Sequence, residues 1–238
     1  MLLFYIRHGD PIYHPDDLTG LGMRQAEALA RRLSLYGLDS IYSSTSKRAR
    51  LTANPTAQIL KREIVELDWC KEDYAYQDFS APNEFGKIKW LFEIASLRSV
   101  MVSDEVTALG HRWWEHPQLA DPRYRNGYYR IRTETHAFLA DQGYIFDASS
   151  STYQATRENQ QRIALFAHQG FGMAFMSSVL NIPYPMYCTR FDMCHSGMTV
   201  ISFSEKIGKT VPTVLTLSND AHLYRDGLPT NYQNKIRF

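Results

Sequence analysis

The chain has almost no charge imbalance, few cysteines and no long apolar run. Its 26 Lys and Arg residues against 25 Asp and Glu give a formal net charge of +1 over 238 residues. Nothing general therefore attracts it to nucleic acid or an anionic membrane, and any anion site must be local. No stretch approaches the roughly 18 apolar residues of a membrane span. The apolar start is too short for a secretory h-region with its cleavage site and runs directly into Arg7, so a cytoplasmic location is expected. The three cysteines, Cys70, Cys188 and Cys194, are an odd number at no recognised metal spacing. They fit inert thiols in a reducing compartment. Cys194-His195 beside Cys188 is a weak zinc candidate, and the eight histidines contain no H-E-x-x-H pair. With no solenoid repeat and no low-complexity linker, one domain over residues 1–238 is expected, without metal or cofactor.

What is present begins at the first strand. Leu2-Leu3-Phe4-Tyr5-Ile6 is an unbroken apolar run that suits a strand covered on both faces of a sheet. It ends at Arg7-His8-Gly9. Arg7 brings a forked donor set matching phosphate or carboxylate, His8 an imidazole able to act as nucleophile or base, and Gly9 freedom to turn. Ligands of open α/β sheets gather at the carboxyl ends of central strands. The competing reading of three isolated residues is a surface arginine beside a structural histidine.

Asp10 to Asp17 reads as a loop over this end, with His14 as an exposed member. Residues 21–36 read as a helix, with Thr19 as N-cap and Gly37 as the residue past its end. A second strand is expected near residues 39–43, then a helix capped by Ser44, Thr45 or Ser46 and kinked or restarted by Pro55. Ile64 to Leu67 reads as a third strand, leading to Glu72. Residues 74–160 are too long for a simple crossover and read as a helical insertion beside the sheet, with helical patterns near Phe85 to Leu97 and Arg123 to Leu139. Its aromatic patch, Trp113-Trp114, suits either packing or substrate contact. Ile163 to Ala167 repeats the first layout, an apolar strand followed by His168-Gln169-Gly170, with a helix from about Phe171 to Leu180. Met198 to Phe203 and Val214 to Leu217 are further strands, and Asn219-Asp220-Ala221-His222 reads as a turn. The alternation predicts a three-layer α/β/α sandwich with a mostly parallel central sheet.

Strand ends thus supply Arg7, His8, Arg48, Glu72 and His168. In phosphoryl transfer an imidazole can attack phosphorus, arginines hold the nonbridging oxygens, and an acid protonates the departing oxygen. At these residues the chain resembles the histidine phosphatase superfamily, the phosphoglycerate mutase-like branch 1. Arg7-His8-Gly9 matches its RHG motif, Leu18-Thr19-Gly20-Leu21-Gly22-Met23-Arg24-Gln25-Ala26 its next segment, and Ser43 to Ala53 its Ser-rich turn with Arg-Ala and Thr-Ala pairs. His168-Gln169-Gly170 matches its second histidine. The resemblance implies that His8 becomes phosphohistidine, that Arg7, Arg48 and His168 bind the phosphate, and that the Gln169 N–H assists. It implies Glu72 as the proton donor. Cys70 replaces the usual leucine before that acid and the Gly-X-Trp-Glu-Gly that often follows is absent, so Glu66, Asp68 and Asp73 compete.

The implied activity is a metal-independent phosphomonoester phosphatase acting on a small phosphorylated substrate or phosphoprotein. One alternative is a phosphoglycerate mutase-type transferase. Another is an inactive phospholigand-binding module, against which both histidines and both arginines stand intact.

Overall fold

A computed structural model describes residues 1–232. Residues 233–238, the end of the expected domain, lie outside the described residues. The central sheet has six strands: β1 (Leu2–Arg7), β2 (Ser40–Ser44), β3 (Ile64–Leu67), β4 (Arg162–Ala167), β5 (Met198–Ser202) and β6 (Thr213–Asn219), in the order β6-β5-β1-β4-β2-β3. The β1–β4, β4–β2 and β2–β3 pairings are parallel, and β5 runs antiparallel to both of its neighbours. The expected mixed α/β fold with a mostly parallel sheet is therefore present.

The period-two alternation of strand side chains divides β1 between two cores. Phe4 and Ile6 join Leu29, Leu33 and Ala53 on the side of α1 (Gly20–Tyr36) and α2 (Lys47–Leu60). Leu3 and Tyr5 join the larger core, which includes residues of α3 (Glu72–Asp78), α4 (Pro122–Asp141) and α5 (Gln169–Leu180). Helices on both faces of one sheet make three layers. Full burial of a side chain such as Ile6 is worth about 2 kcal/mol, which fixes the strand's register and hence the position of its last residues.

Two glycines explain how the loop after β1 lies against α1. A Cβ on Gly9 would stand 2.7 Å from the Gly22 carbonyl oxygen, and one on Gly22 would stand 2.2 Å from the Asp10 oxygen. The Thr19 hydroxyl caps α1 by accepting from the Gly22 N–H at 3.0 Å, and it donates to Asp10 Oδ2 at 2.7 Å. Both the cap and Gly37, at φ 71°, fall where the sequence places them.

Helix α2 runs through Pro55 from Lys47 to Leu60, so the proline does not restart it. Two other local expectations are corrected. The segment read as a helix near Phe85 to Leu97 is instead a strand, Ile88–Trp90, a 3₁₀ turn, Leu91–Glu93, and a helix beginning only at Ala95. Its apolar residues Trp90, Leu91 and Phe92 are consecutive and all buried, a pattern that periodicity cannot assign to helix or strand. The stretch after β6 is a short helix, Ala221–Arg225, in which His222 is buried and its Nε2 lies 2.9 Å from Ser196 Oγ.

Between β3 and β4 lie α3, α4, shorter helical turns and two hairpins, Ser80–Pro82 with Ile88–Trp90 and Tyr144–Asp147 with Thr152–Ala155. Trp113 and Trp114 are core residues there, packed on Tyr124 and Tyr128. The three cysteines are buried and unpaired. Among the described residues no helix is long and apolar enough to cross a membrane.

Candidate active site

The parallel pairing of β1 with β4 brings their carboxyl ends together. Arg7 pairs with Ala167, so His8 and His168 follow on adjacent strands, with ring centroids 5.3 Å apart. Arg7, His8, Arg48, Glu72 and Gln169 line one cavity of about 510 Å³, together with Tyr13, His14, Asp73, Tyr76 and Trp90. His168 does not line it but stands fully buried behind His8.

His8 is held through one nitrogen. Its Nδ1 lies 2.7 Å from the Gly9 carbonyl oxygen. A carbonyl only accepts, so Nδ1 carries the proton and the Nε2 lone pair is left for another partner. Burial, then His168, Arg7 and Arg48, hold the His8 pKa well below the ordinary imidazole value. The ring is therefore neutral near pH 7, as a nucleophile requires. The Gly9 N–H donates to Thr52 Oγ1 at 2.9 Å, and that hydroxyl donates to the Arg48 carbonyl at 2.8 Å. Thr52 thereby ties the His8 turn to the first turns of α2.

The arginines are fixed differently. Arg48 Nη1 donates to Asp16 Oδ1 at 2.7 Å, and Asp16 Oδ2 accepts from the Lys47 N–H at 2.7 Å. Asp16, rather than Ser46, thus caps α2 through its side chain. The Arg48 Nε is buried without a partner among the described residues. Arg7 is fully buried, with Nη1 donating to the Met193 carbonyl and Nη2 standing 2.9 Å from His195 Nε2. Since guanidinium only donates, His195 Nε2 accepts and its proton sits on Nδ1, 3.3 Å from Asp10 Oδ1. Burial first, and then Arg7, push the His195 pKa down to about 4, so the acceptor stays neutral.

Glu72 opens α3. Its Oε1 accepts from the Gly170 N–H at 2.9 Å, while Oε2 is buried without a hydrogen-bond partner, 3.5 Å from His168 Nδ1. A Cβ on Gly170 would stand 2.2 Å from the Trp90 ring and 2.7 Å from Glu72 Oε1, so glycine there lets both reach the cavity. The competing acids lie elsewhere or are occupied. Glu66 pairs with Arg50 on the surface at 3.2 Å. Asp68 accepts from Thr45 and Tyr74. Asp73 lines the cavity, with a 64% exposed side chain that pairs with Lys71 at 3.7 Å. His168 Nε2 is 2.8 Å from Ser44 Oγ, and the Gln169 amide donates to Asp192. Among the described residues no group of three or more His, Cys, Asp and Glu side chains could hold a metal ion.

Sequence reasoning passed over Asp16, Trp90 and Tyr76, and weighed His195 only within the weak zinc candidate of Cys194 and Cys188. His195 offered one signal, a lone histidine just before a strand whose order beside β1 only the sheet reveals.

The chain is similar to known proteins over one segment and in its fold. Residues 3–76, which contain Arg7, His8, Arg48 and Glu72, match the family model of the histidine phosphatase superfamily (branch 1). Over this segment the chain is similar to that superfamily. Phosphoserine phosphatase 1 of Hydrogenobacter thermophilus is 36% identical over 75 residues, a match covering 28% of this chain and 36% of that relative's length. A phosphoserine phosphatase mutant of Entamoeba histolytica, solved with phosphoserine, superposes with a TM-score of 0.59 at 17% identity, covering 93% of this chain and 98% of its own. The α-ribazole phosphatase of Shigella flexneri gives 0.58 at 18% identity, covering 92% and 97%. A mycobacterial glucosyl-3-phosphoglycerate phosphatase in complex with VO3 gives 0.57 at 17% identity, covering 90% and 97%. These structures share the fold.

Proposed function

We propose that the chain is a phosphomonoester phosphatase that works through phosphohistidine on His8, without a metal ion. The observation that carries the proposal is the His8 hydrogen bond to Gly9, which assigns the proton to Nδ1 on a neutral ring. Support comes from the two buried arginines in the same cavity and from the phosphatases with which the chain shares its fold.

In the first half-reaction the Nε2 lone pair of His8 attacks phosphorus. The P–O ester bond breaks, its electron pair stays on the leaving oxygen, and protonated Glu72 supplies that oxygen's proton from Oε2. Arg7 and Arg48 hold the nonbridging oxygens, where charge stabilisation has most effect. In the second half, ionised Glu72 takes a proton from water as its oxygen attacks phosphorus. The P–N bond breaks, its pair returns to Nε2, and inorganic phosphate leaves. His168, held by Ser44, supports the His8 ring from behind and stands next to Glu72 Oε2.

The test is phosphate release from a panel of phosphomonoesters, with and without EDTA, and with vanadate as inhibitor. Release that survives EDTA and is blocked by vanadate is expected. Loss in chelator restored by added magnesium would overturn the metal-free scheme. Transfer of phosphate between substrate hydroxyls without net release would identify a mutase.

A further inference from the structure

The cavity is larger than a phosphate needs, and its lining divides by chemistry. Arg7, His8 and Arg48 form the anion end. Tyr13, Tyr76 and Trp90 contribute three aromatic rings, with Glu72, Asp73, His14 and Gln169 as the polar remainder. We infer that this cavity takes the phosphate ester of a flat, uncharged alcohol, its leaving group packed on Tyr76, Trp90 and Tyr13, and that it disfavours leaving groups bearing a carboxylate. The inference rests on the phosphatase reading above.

The rings are built as a surface. Trp90 meets Tyr76 edge-on at 5.1 Å and stacks on Phe92 at 5.6 Å. The Tyr76 hydroxyl is tied to the Ile88 carbonyl at 3.0 Å, fixing the ring. Trp90 is brought in over Gly170, next to Glu72 Oε1, and so stands beside the acid that serves the leaving oxygen. Tyr13 lies over the Arg48 guanidinium, 5.4 Å from its centre, at the rim of the anion end. Rings so placed favour aromatic partners in stacked or edge-on contact.

The charges point the same way. Among the described residues the only lysine or arginine side chains lining the cavity are Arg7 and Arg48, both assigned to the phosphate, and Arg48 already carries Asp16. Of the two acids on the lining, Glu72 is protonated when the substrate binds, which leaves the Asp73 carboxylate. Lys71 pairs with Asp73 at 3.7 Å and lies against the Tyr74 ring, but does not line the cavity. A carboxylate on the leaving group would therefore face the Asp73 carboxylate without a cation of its own. The phosphoserine bound by the Entamoeba histolytica relative is of that disfavoured kind.

The test compares kcat/KM for benzyl phosphate, ethyl phosphate, phosphoserine and 3-phosphoglycerate. All four release alkyl alcohols, so their demand for a proton from Glu72 is comparable. Benzyl phosphate should exceed ethyl phosphate by about tenfold, the scale of two aromatic contacts, and the two acidic esters should fall below ethyl phosphate. Tyr76→Leu and Trp90→Leu should each lower the benzyl-to-ethyl ratio. Asp73→Asn should raise 3-phosphoglycerate relative to ethyl phosphate. Hydrolysis with the acidic esters preferred, or a benzyl-to-ethyl ratio indifferent to Tyr76 and Trp90, would overturn the inference and leave the phosphatase intact. Failure of the folded protein to hydrolyse any of the four would overturn both.

Discussion

Arg7 Nη2 donates to His195 Nε2 across 2.9 Å, and the two residues are 188 positions apart in the chain. The histidine is neutral, stacks at 5.8 Å on the His8 ring, and has Asp10 at its other nitrogen. It therefore orients Arg7 without cancelling its charge. Removing a partner from a charged donor costs about 1.5–3 kcal/mol, so His195→Ala should lower kcat/KM by about ten- to a hundredfold. The loss should appear in KM and in the inhibition constant of vanadate, because the pocket that holds the anion is what loosens. His195→Gln, whose amide oxygen can accept, should restore part of it. A loss that only reduces the active fraction, with KM and vanadate inhibition unchanged, would reduce His195 to a packing residue.

Glu72 should matter in proportion to how poor the leaving group is. Alkyl alkoxides need the proton and p-nitrophenolate hardly does. Glu72→Gln should slow hydrolysis of ethyl phosphate by about 10²–10⁴-fold and slow phosphoenzyme formation from p-nitrophenyl phosphate far less. Equal losses on both substrates would argue against a donor role. Retained activity on both would direct the search to Asp73, the other acid on the lining.

Stability should depend on pH through buried histidines. Burial pushes His136, His195 and His222 down to about 4 and holds His8 and His168 well below the ordinary value of 6.5. Between these values the unfolded chain binds protons that the folded chain refuses. Stability is thus fully present above about pH 6.5 and is lost as pH falls toward 4, at about 1.4 kcal/mol per pH unit for each such proton. Urea unfolding at pH 7.5, 6, 5 and 4.5 should show the midpoint falling steeply. His136→Phe, remote from the cavity and stacked at 4.1 Å on Phe146, should flatten the slope. A midpoint independent of pH through this window would contradict the assignment of neutral buried imidazoles.

Residues that act through chain neighbours were legible in the sequence. The run Leu2 to Ile6 fixed a strand by burial, and Arg7, His8 and Gly9 followed at its end. The parallel layout ending in His168 then implied the meeting of the two histidines. Thr19 and Gly37 were readable because caps act over three or four residues. Partners that meet only through the sheet were not. His195 reaches Arg7 because β5 pairs with β1 in antiparallel register, and Asp16 reaches α2 from a loop that carries no periodicity. Trp90 and Tyr76 come together through a hairpin inside the long segment, where consecutive buried aromatics concealed strand from helix.

The central claim is a covalent intermediate on the Nε2 nitrogen of His8, and trapping it is the most direct test. Enzyme mixed with a ³²P-labelled phosphomonoester and quenched within milliseconds should carry label that survives alkali and is lost in acid, the behaviour of a phosphoramidate. His8→Ala should carry none, while His168→Ala should still be labelled, more slowly. Label stable to acid, or label undiminished in His8→Ala, would contradict the account.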